Sequence, residues 1–236
     1  MGFIRNKKLT ILMVLETHAH ADHLSGSQEL KRIFPQAKLA IGHGITEVQK
    51  IFKSVYNFAP DFAVDGRQFD RLLRNGERVK AGRLLFEVID TPGHTPACTT
   101  FRFEDKIFTV DAIFMPDYGT GRCDFPGGSA EHLYQSIQNR LYTLPDETKV
   151  YTGHDYPPNG RPLAFLSTIG EQKAKNIQLN ARTSMEDFVH FRQTRDVKLK
   201  VPHLLHPCVQ VNIDAGHVPE PESNGLAYVK IPLKIK

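Results

Sequence analysis

The stretch Thr17-His18-Ala19-His20-Ala21-Asp22-His23 follows closely on the apolar run Ile11-Leu12-Met13-Val14-Leu15. Five consecutive apolar residues, two of them β-branched, predict a buried strand. Three imidazoles and one carboxylate are then crowded where that strand should end. In extended backbone, side chains two apart share a face, so His18, His20 and Asp22 are expected to converge while His23 points elsewhere. Imidazole nitrogen with carboxylate oxygen is a donor set for zinc or ferrous iron. A single histidine at a strand end is more often a solvated loop residue; a cluster spaced H-x-H-x-D-H is poorly explained that way.

The rest of the composition narrows the class. A chain of 236 residues with 40% hydrophobic and 24% charged side chains suits one soluble globular domain spanning 1–236, with a substantial core. No apolar run approaches the length of a membrane span, and Met1 to Lys8 lacks the apolar stretch and cleavage site of a signal peptide. Three widely separated cysteines, Cys98, Cys123 and Cys208, suggest no disulfide framework, so a reducing cytoplasm is the expected compartment. The net charge of +4 comes from scattered lysines and arginines without interleaved aromatics, which argues against nucleic acid and membrane surfaces as partners.

Outward from the His cluster, Ser25 to Phe34 reads as a short helix closed by Pro35, and Ala37 to Ile41 as a strand. Thr46 to Tyr56 reads as an amphipathic helix with Val48, Ile51, Phe52 and Val55 on one face. The turns Arg74-Asn75-Gly76 and Ala81-Gly82 predict hairpin connections. Leu84 to Ile89, the pair Thr99–Phe103 and Lys106–Val110, and Lys149 to Thr152 are the further strands. Ser129 is placed to cap a helix whose apolar face is Leu133, Ile137 and Leu141. Helices are also expected from Ser167 to Leu179 and from Ser184 to Val197, and the proline-dotted last forty residues are expected to wrap the surface.

Further donors recur at strand ends: His94 in Thr91-Pro92-Gly93-His94-Thr95, then Asp111, then His154 in Gly153-His154-Asp155-Tyr156. Taken singly, each would be a core, turn or surface residue. Their common placement is the informative feature, because loops at strand ends are where a rigid sheet presents functional groups.

These motifs together resemble the metallo-β-lactamase superfamily. Glu16 to Gly26, the loop Gly121-Arg122-Cys123-Asp124-Phe125-Pro126-Gly127-Gly128 and Tyr151 to Tyr156 are similar to the persulfide dioxygenases within it, the ethylmalonic-encephalopathy-type proteins and the bacterial β-lactamase-like hydrolases. The resemblance implies an α+β fold, an αββα sandwich with a metal at one edge between the sheets. Family members carry further strands before the His cluster, so it also implies a single domain lacking its first N-terminal strands.

For chemistry, the resemblance implies one Fe(II) per chain held by His18, His94 and Asp111, with sites left open for oxygen and substrate. The reaction would convert glutathione persulfide, oxygen and water to glutathione and sulfite. His20, Asp22, His23 and His154 would orient the ligands or hold a second metal. Asp155 and Tyr156 would sit beside the metal as catalytic residues; Arg122, with Thr95 and Gly121, would bind the substrate, the guanidinium clamping a glutathione carboxylate. Cys123 reads as a small buried hydrophobe. Ala215 stands where mitochondrial-type members are expected to place a cysteine, which favours the bacterial branch. The family also implies a homodimer. Two alternatives stand beside this reading: a dinuclear zinc thioester hydrolase of the glyoxalase II type, with two Zn(II) per chain, and a truncated, non-catalytic metal-binding relative.

Overall fold

The computed structural model describes residues 2–233. Two sheets lie face to face. The first contains β1 (Met13–Glu16), β2 (Lys38–Gly42) and β3 (Arg71–Leu73), all parallel. The second runs in chain order through β4 (Arg78–Ala81), β5 (Leu84–Asp90), β6 (Thr99–Phe103), β7 (Lys106–Val110), β8 (Lys149–Thr152) and β9 (Leu166–Thr168). Its pairings are antiparallel except β7 with β8. Helices α1 (Gly2–Asn6), α2 (Ser27–Ile33), α3 (Ile45–Val55), α4 (Ala130–Ser136), α5 (Ile169–Lys175), α6 (Met185–Asp196) and α7 (Leu205–Asn212) complete the chain.

Three cores follow from strand alternation. Ala40, Leu73, Val79, Phe86, Val88 and Phe101 pack between the sheets. Leu39 and Ile41, the β2 neighbours of Ala40, face the other way and pack with Ile45, Val48 and Phe52 of α3 and Val209 of α7. On the far side, Ile107 and Val150 pack with Leu133, Ile137, Ile169 and Phe188. This is the αββα sandwich. The helix expected after Ser129 forms: the Ser129 hydroxyl accepts the His132 N–H at 3.1 Å. Leu133, Ile137 and Leu141 are fully buried, each burial stabilising by about 2 kcal/mol. Its last turn, Ile137–Leu141, is wound as a π-helix.

Four local expectations are corrected. The apolar run ahead of the His cluster is strand only from Met13, and β1 is an edge strand with half-buried residues, because β2 is its one partner among the described residues. The turn at Arg74-Asn75-Gly76 does not close a hairpin; it carries the chain from the first sheet to the second, whereas Ala81-Gly82 does close one, between β4 and β5. Ser167 belongs to β9, and the helix beginning after the Thr168 cap ends at Lys175. Finally, the C-terminal forty residues do not merely wrap the surface: α7 buries Cys208, Val209 and Val211, and Val209 packs in the core with α3.

Candidate metal centre

His18, His94 and Asp111 come together. One ligand atom from each lies within 4.8 Å of the others. Their relative exposures are 2%, 5% and 9%, so water competes poorly with an ion for these donors. His94 Nε2 is 3.6 Å from Asp111 Oδ2. The opposite nitrogen, His94 Nδ1, is 2.7 Å from the Arg122 carbonyl oxygen. A carbonyl can only accept, so Nδ1 carries the proton and Nε2 keeps its lone pair for a metal. Burial, with His20 and His94 close by, holds His18 well below the usual histidine range, leaving the neutral imidazole that ligation requires.

His20, Asp22 and His23 form a second group, again with ligand atoms within 4.8 Å of one another. The expected partition is therefore corrected: His23 joins His20 and Asp22, and His18 turns to His94 and Asp111. The period-two rule failed because β1 ends at Glu16 and the following residues are loop and bend. The groups still touch, with the His18 and His20 rings 4.1 Å apart and His20 and His23 4.2 Å apart. His154 bridges them, its Nε2 lying 3.2 Å from Asp22 Oδ2 and 3.7 Å from Asp111 Oδ1. That contact pushes Asp22 down to about 2 and raises His154 above its ordinary value.

The donors fit a metal on a further count. His20 Nδ1 and Asp111 Oδ1 are buried with no hydrogen-bond partner among the described residues, a costly state for polar atoms and one that coordination relieves. The backbone supports this placement. Val110, next to Asp111, is held at φ 44°, a conformation a β-branched residue adopts only under constraint. Gly153 makes it fit, since a Cβ there would lie 2.7 Å from Val110 Cγ1. Gly93, at φ +147°, similarly lets the His94 loop pass the backbone of Leu133, 2.4 Å from where a Cβ would stand.

Two supporting residues were not visible in the sequence. Asn212, at the end of α7, donates through Nδ2 to the carbonyls of His20 and His23, both at 2.8 Å, and accepts the Ser25 N–H at 2.8 Å. Glu16 accepts from the Ser25 and Ser27 hydroxyls, pinning the far end of the same loop. Asn212 lies 187 positions from Ser25, and no local pattern announces so distant a contact.

A cavity of about 270 Å³ opens on Asp111 and His94. Phe114, Tyr118, Phe125 and Tyr156 form aromatic walls, and Gly121, Arg122 and Arg195 also line it. Tyr156 stacks on His154 at 5.6 Å between ring centres, and burial pushes its hydroxyl up to about 12, so it stays a neutral donor. Gly121 is small for an internal reason: a Cβ there would lie 2.0 Å from the Asp111 carbonyl oxygen.

Other expected site residues serve the scaffold. Asp155 turns from the metal centre; its oxygens accept from Arg161 at 2.7 Å and from the Ala164 N–H at 2.7 Å, so it fastens the loop beyond His154. Thr95 is buried against Cys98 Sγ at 3.2 Å and is absent from the walls of this cavity. Arg122 does line it, but its guanidinium grips Asp124 with two hydrogen bonds of 2.6 Å, donates to the Lys200 carbonyl at 2.9 Å and lies 5.0 Å from the Phe125 ring centre. Arg195 lies over Tyr118, 5.7 Å from its ring centre, donates to its hydroxyl at 3.4 Å and forms no ion pair among the described residues. Cys123 is buried, as expected, with its thiol pushed up by desolvation.

Comparison with known proteins agrees with this geometry. The sequence pattern of the metallo-β-lactamase superfamily matches residues 3–154, from the first helix through His154. "Glyoxylase B2" of Dictyostelium discoideum is 49% identical over 234 residues, covering 99% of this chain and 80% of that protein. The human mitochondrial persulfide dioxygenase ETHE1 is 31% identical, covering 90% and 72%. The crystal structure of ETHE1 from Myxococcus xanthus superposes with a TM-score of 0.73 at 34% identity, covering 92% of this chain and 82% of that one. With its histidines and aspartates clustered behind the strand ends of an αββα sandwich, the chain belongs to the metallo-β-lactamase superfamily.

Proposed function

We propose that the chain is an iron-dependent dioxygenase that oxidises glutathione persulfide to glutathione and sulfite, consuming one oxygen and one water per turnover. The observation that carries this reading is the division of donors into a buried His18–His94–Asp111 set and a more exposed His20–Asp22–His23 set. Two imidazoles and one carboxylate on one side of an ion leave positions open for two further ligands. Likeness to the human and Myxococcus xanthus persulfide dioxygenases supports the same reading.

Ferrous iron bound by His18, His94 and Asp111 would supply the coordination of oxygen and sulfur and the electron transfer between them. The chain's own groups do the rest. His94 is fixed as a ligand by its Nδ1–H bond to the Arg122 carbonyl. The aromatic walls displace water from the sulfur end of the substrate. His154, hydrogen-bonded to Asp22 beside the cavity, holds a proton for the sulfite oxygens. Arg195, whose Nη2 makes a long 3.4 Å hydrogen bond to the Tyr118 hydroxyl and which has no carboxylate partner among the described residues, is the cation more open to a glutathione carboxylate, whereas Arg122 must first be drawn off Asp124. Arg195→Ala is accordingly expected to raise KM for glutathione persulfide about tenfold or more, the loss of one charge-assisted contact, with kcat little changed. An unmoved KM would remove Arg195 from the substrate site.

The second reading, a dinuclear zinc thioester hydrolase, is favoured by one observation, the His20–Asp22–His23 group with His154 adjoining, and by the name of the Dictyostelium relative. Protein purified without oxygen decides between the two. About one iron per chain with persulfide-dependent oxygen uptake is the expected result. About two zincs per chain with hydrolysis of S-lactoylglutathione would replace it by the second reading, and metal without either turnover would leave a binding protein.

A further inference from the structure

Outside the metal centre, the most deeply buried charges belong to Arg192 and Asp196, one turn apart on α6 and 1% and 3% exposed. Arg192 Nε donates to Asp196 Oδ2 at 3.2 Å, and Nη2 donates to Oδ1. Its remaining fork donates to Gln178 Oε1 at 2.9 Å and to the Thr120 carbonyl at 3.3 Å. Burying such a pair contributes little net stability, because the loss of hydration offsets the attraction. The pair's place in the fold gives it another use.

Asp196 Oδ2 also accepts the backbone N–H of Cys123, at 2.8 Å. The carbonyl of that same peptide unit belongs to Arg122, and it accepts Nδ1–H of His94 at 2.7 Å. One peptide group is thus bonded at its N–H to a buried carboxylate and at its C=O to a metal-ligating imidazole. We infer that Asp196, oriented by Arg192, is a positioning residue for the metal centre, acting on His94 through the Arg122–Cys123 peptide.

The physical basis is polarisation. A carboxylate accepting from the N–H end of an amide draws electron density toward the carbonyl oxygen, which then accepts more strongly from His94 Nδ1–H. That in turn raises the donor strength of Nε2 and fixes the plane of the ring. A carboxylate bonded directly to a ligating histidine does the same. With a peptide interposed, the negative charge stays on α6, where Arg192 balances it. The inference rests on His94 serving as a metal ligand, and the test keeps the two ideas separable.

Zinc would be titrated into metal-free protein against a chelating indicator. Four proteins are compared: wild type, the double variant Arg192→Met/Asp196→Asn, Phe188→Leu and His94→Ala. The double variant removes both charges together, so no buried charge is stranded, and it keeps an amide oxygen for the Cys123 N–H. Its zinc dissociation constant is expected to rise about tenfold, and the midpoint potential of the iron-loaded form to move upward. Phe188→Leu loosens the packing of α6 without touching the peptide, and zinc affinity is expected to hold.

Unchanged zinc affinity in the double variant, alongside loss in His94→Ala, would overturn the relay alone. So would equal weakening in Phe188→Leu at a matched fall in Tm. Undiminished zinc binding by His94→Ala would overturn the metal-centre reading and the relay with it. If the double variant does not fold, reciprocity supplies a test in wild type. A bond that strengthens metal binding must itself be strengthened by the metal to the same degree. Zinc is therefore expected to slow hydrogen exchange of the Cys123 amide about tenfold more than that of the Thr120 amide, which is bonded to Gln178 Oε1 at 3.1 Å. Equal protection of the two would overturn the proposal.

Discussion

Asp111→Ala is expected to abolish metal binding and turnover together while leaving the fold in place. Asp111 is the one carboxylate in the buried set, and its removal leaves two imidazoles to hold a divalent ion. Loss of an outer partner of a metal ligand typically costs 10–100-fold in affinity; loss of the only anionic ligand should exceed the upper end of that range. The mutation also relieves the fold of a buried carboxylate oxygen without a partner and removes no apolar packing, so circular dichroism should stay that of the wild type. Metal content per chain by elemental analysis is the measurement. A variant that keeps its full complement of metal would show that the ion sits elsewhere.

Asn212→Ala is expected to produce a large loss of stability for a substitution that removes no charge. The side chain satisfies three backbone groups of the ligand loop, the carbonyls of His20 and His23 and the N–H of Ser25. Each such bond contributes about 1 kcal/mol net, so the loss should be about 3 kcal/mol. In a domain of this size that lowers Tm by roughly 6–12 °C. Metal affinity should fall as well, because the loop carrying His18, His20, Asp22 and His23 loses its anchor to α7. Asn212→Asp keeps the acceptor for Ser25 but neither donor, and should fall further than Asn212→Ala where the new charge meets the two carbonyls. Thermal unfolding of the three proteins, with and without metal, checks both expectations; an unchanged Tm would mean the contacts carry no weight.

The elements legible in the sequence are those written locally. Ser129 with Leu133, Ile137 and Leu141 spells out α4, and Val48 with Phe52 marks α3, because caps and one-face spacing act within a few residues. The donors, far apart in the chain, were legible as a set because each follows a strand and their motifs resemble a known family. What stayed hidden depends on distant contacts or on where a strand stops. The grouping of His18 apart from His20 and Asp22, implied by the resemblance, was missed by strand periodicity because β1 ends at Glu16, before the cluster rather than within it. Asp155 and Arg122 read as chemistry because each is polar and near the site, yet Arg161 and Asp124 satisfy them first. Arg195, which has no carboxylate partner among the described residues, carried no signal, since an arginine in α6 looks the same whether it meets solvent or a cavity. The role of α7 was masked by prolines around a short helix that is nevertheless buried on the face toward α3.

The ligand set draws on both layers of the sandwich. His18 hangs from the loop after the first sheet's edge strand, while His94 and Asp111 follow strands of the second sheet. An ion gripped by all three would be a rivet through the seam between the halves, added to the apolar packing that already joins them. Metal-free protein is then expected to keep its fold but to unfold at a lower temperature than the loaded form.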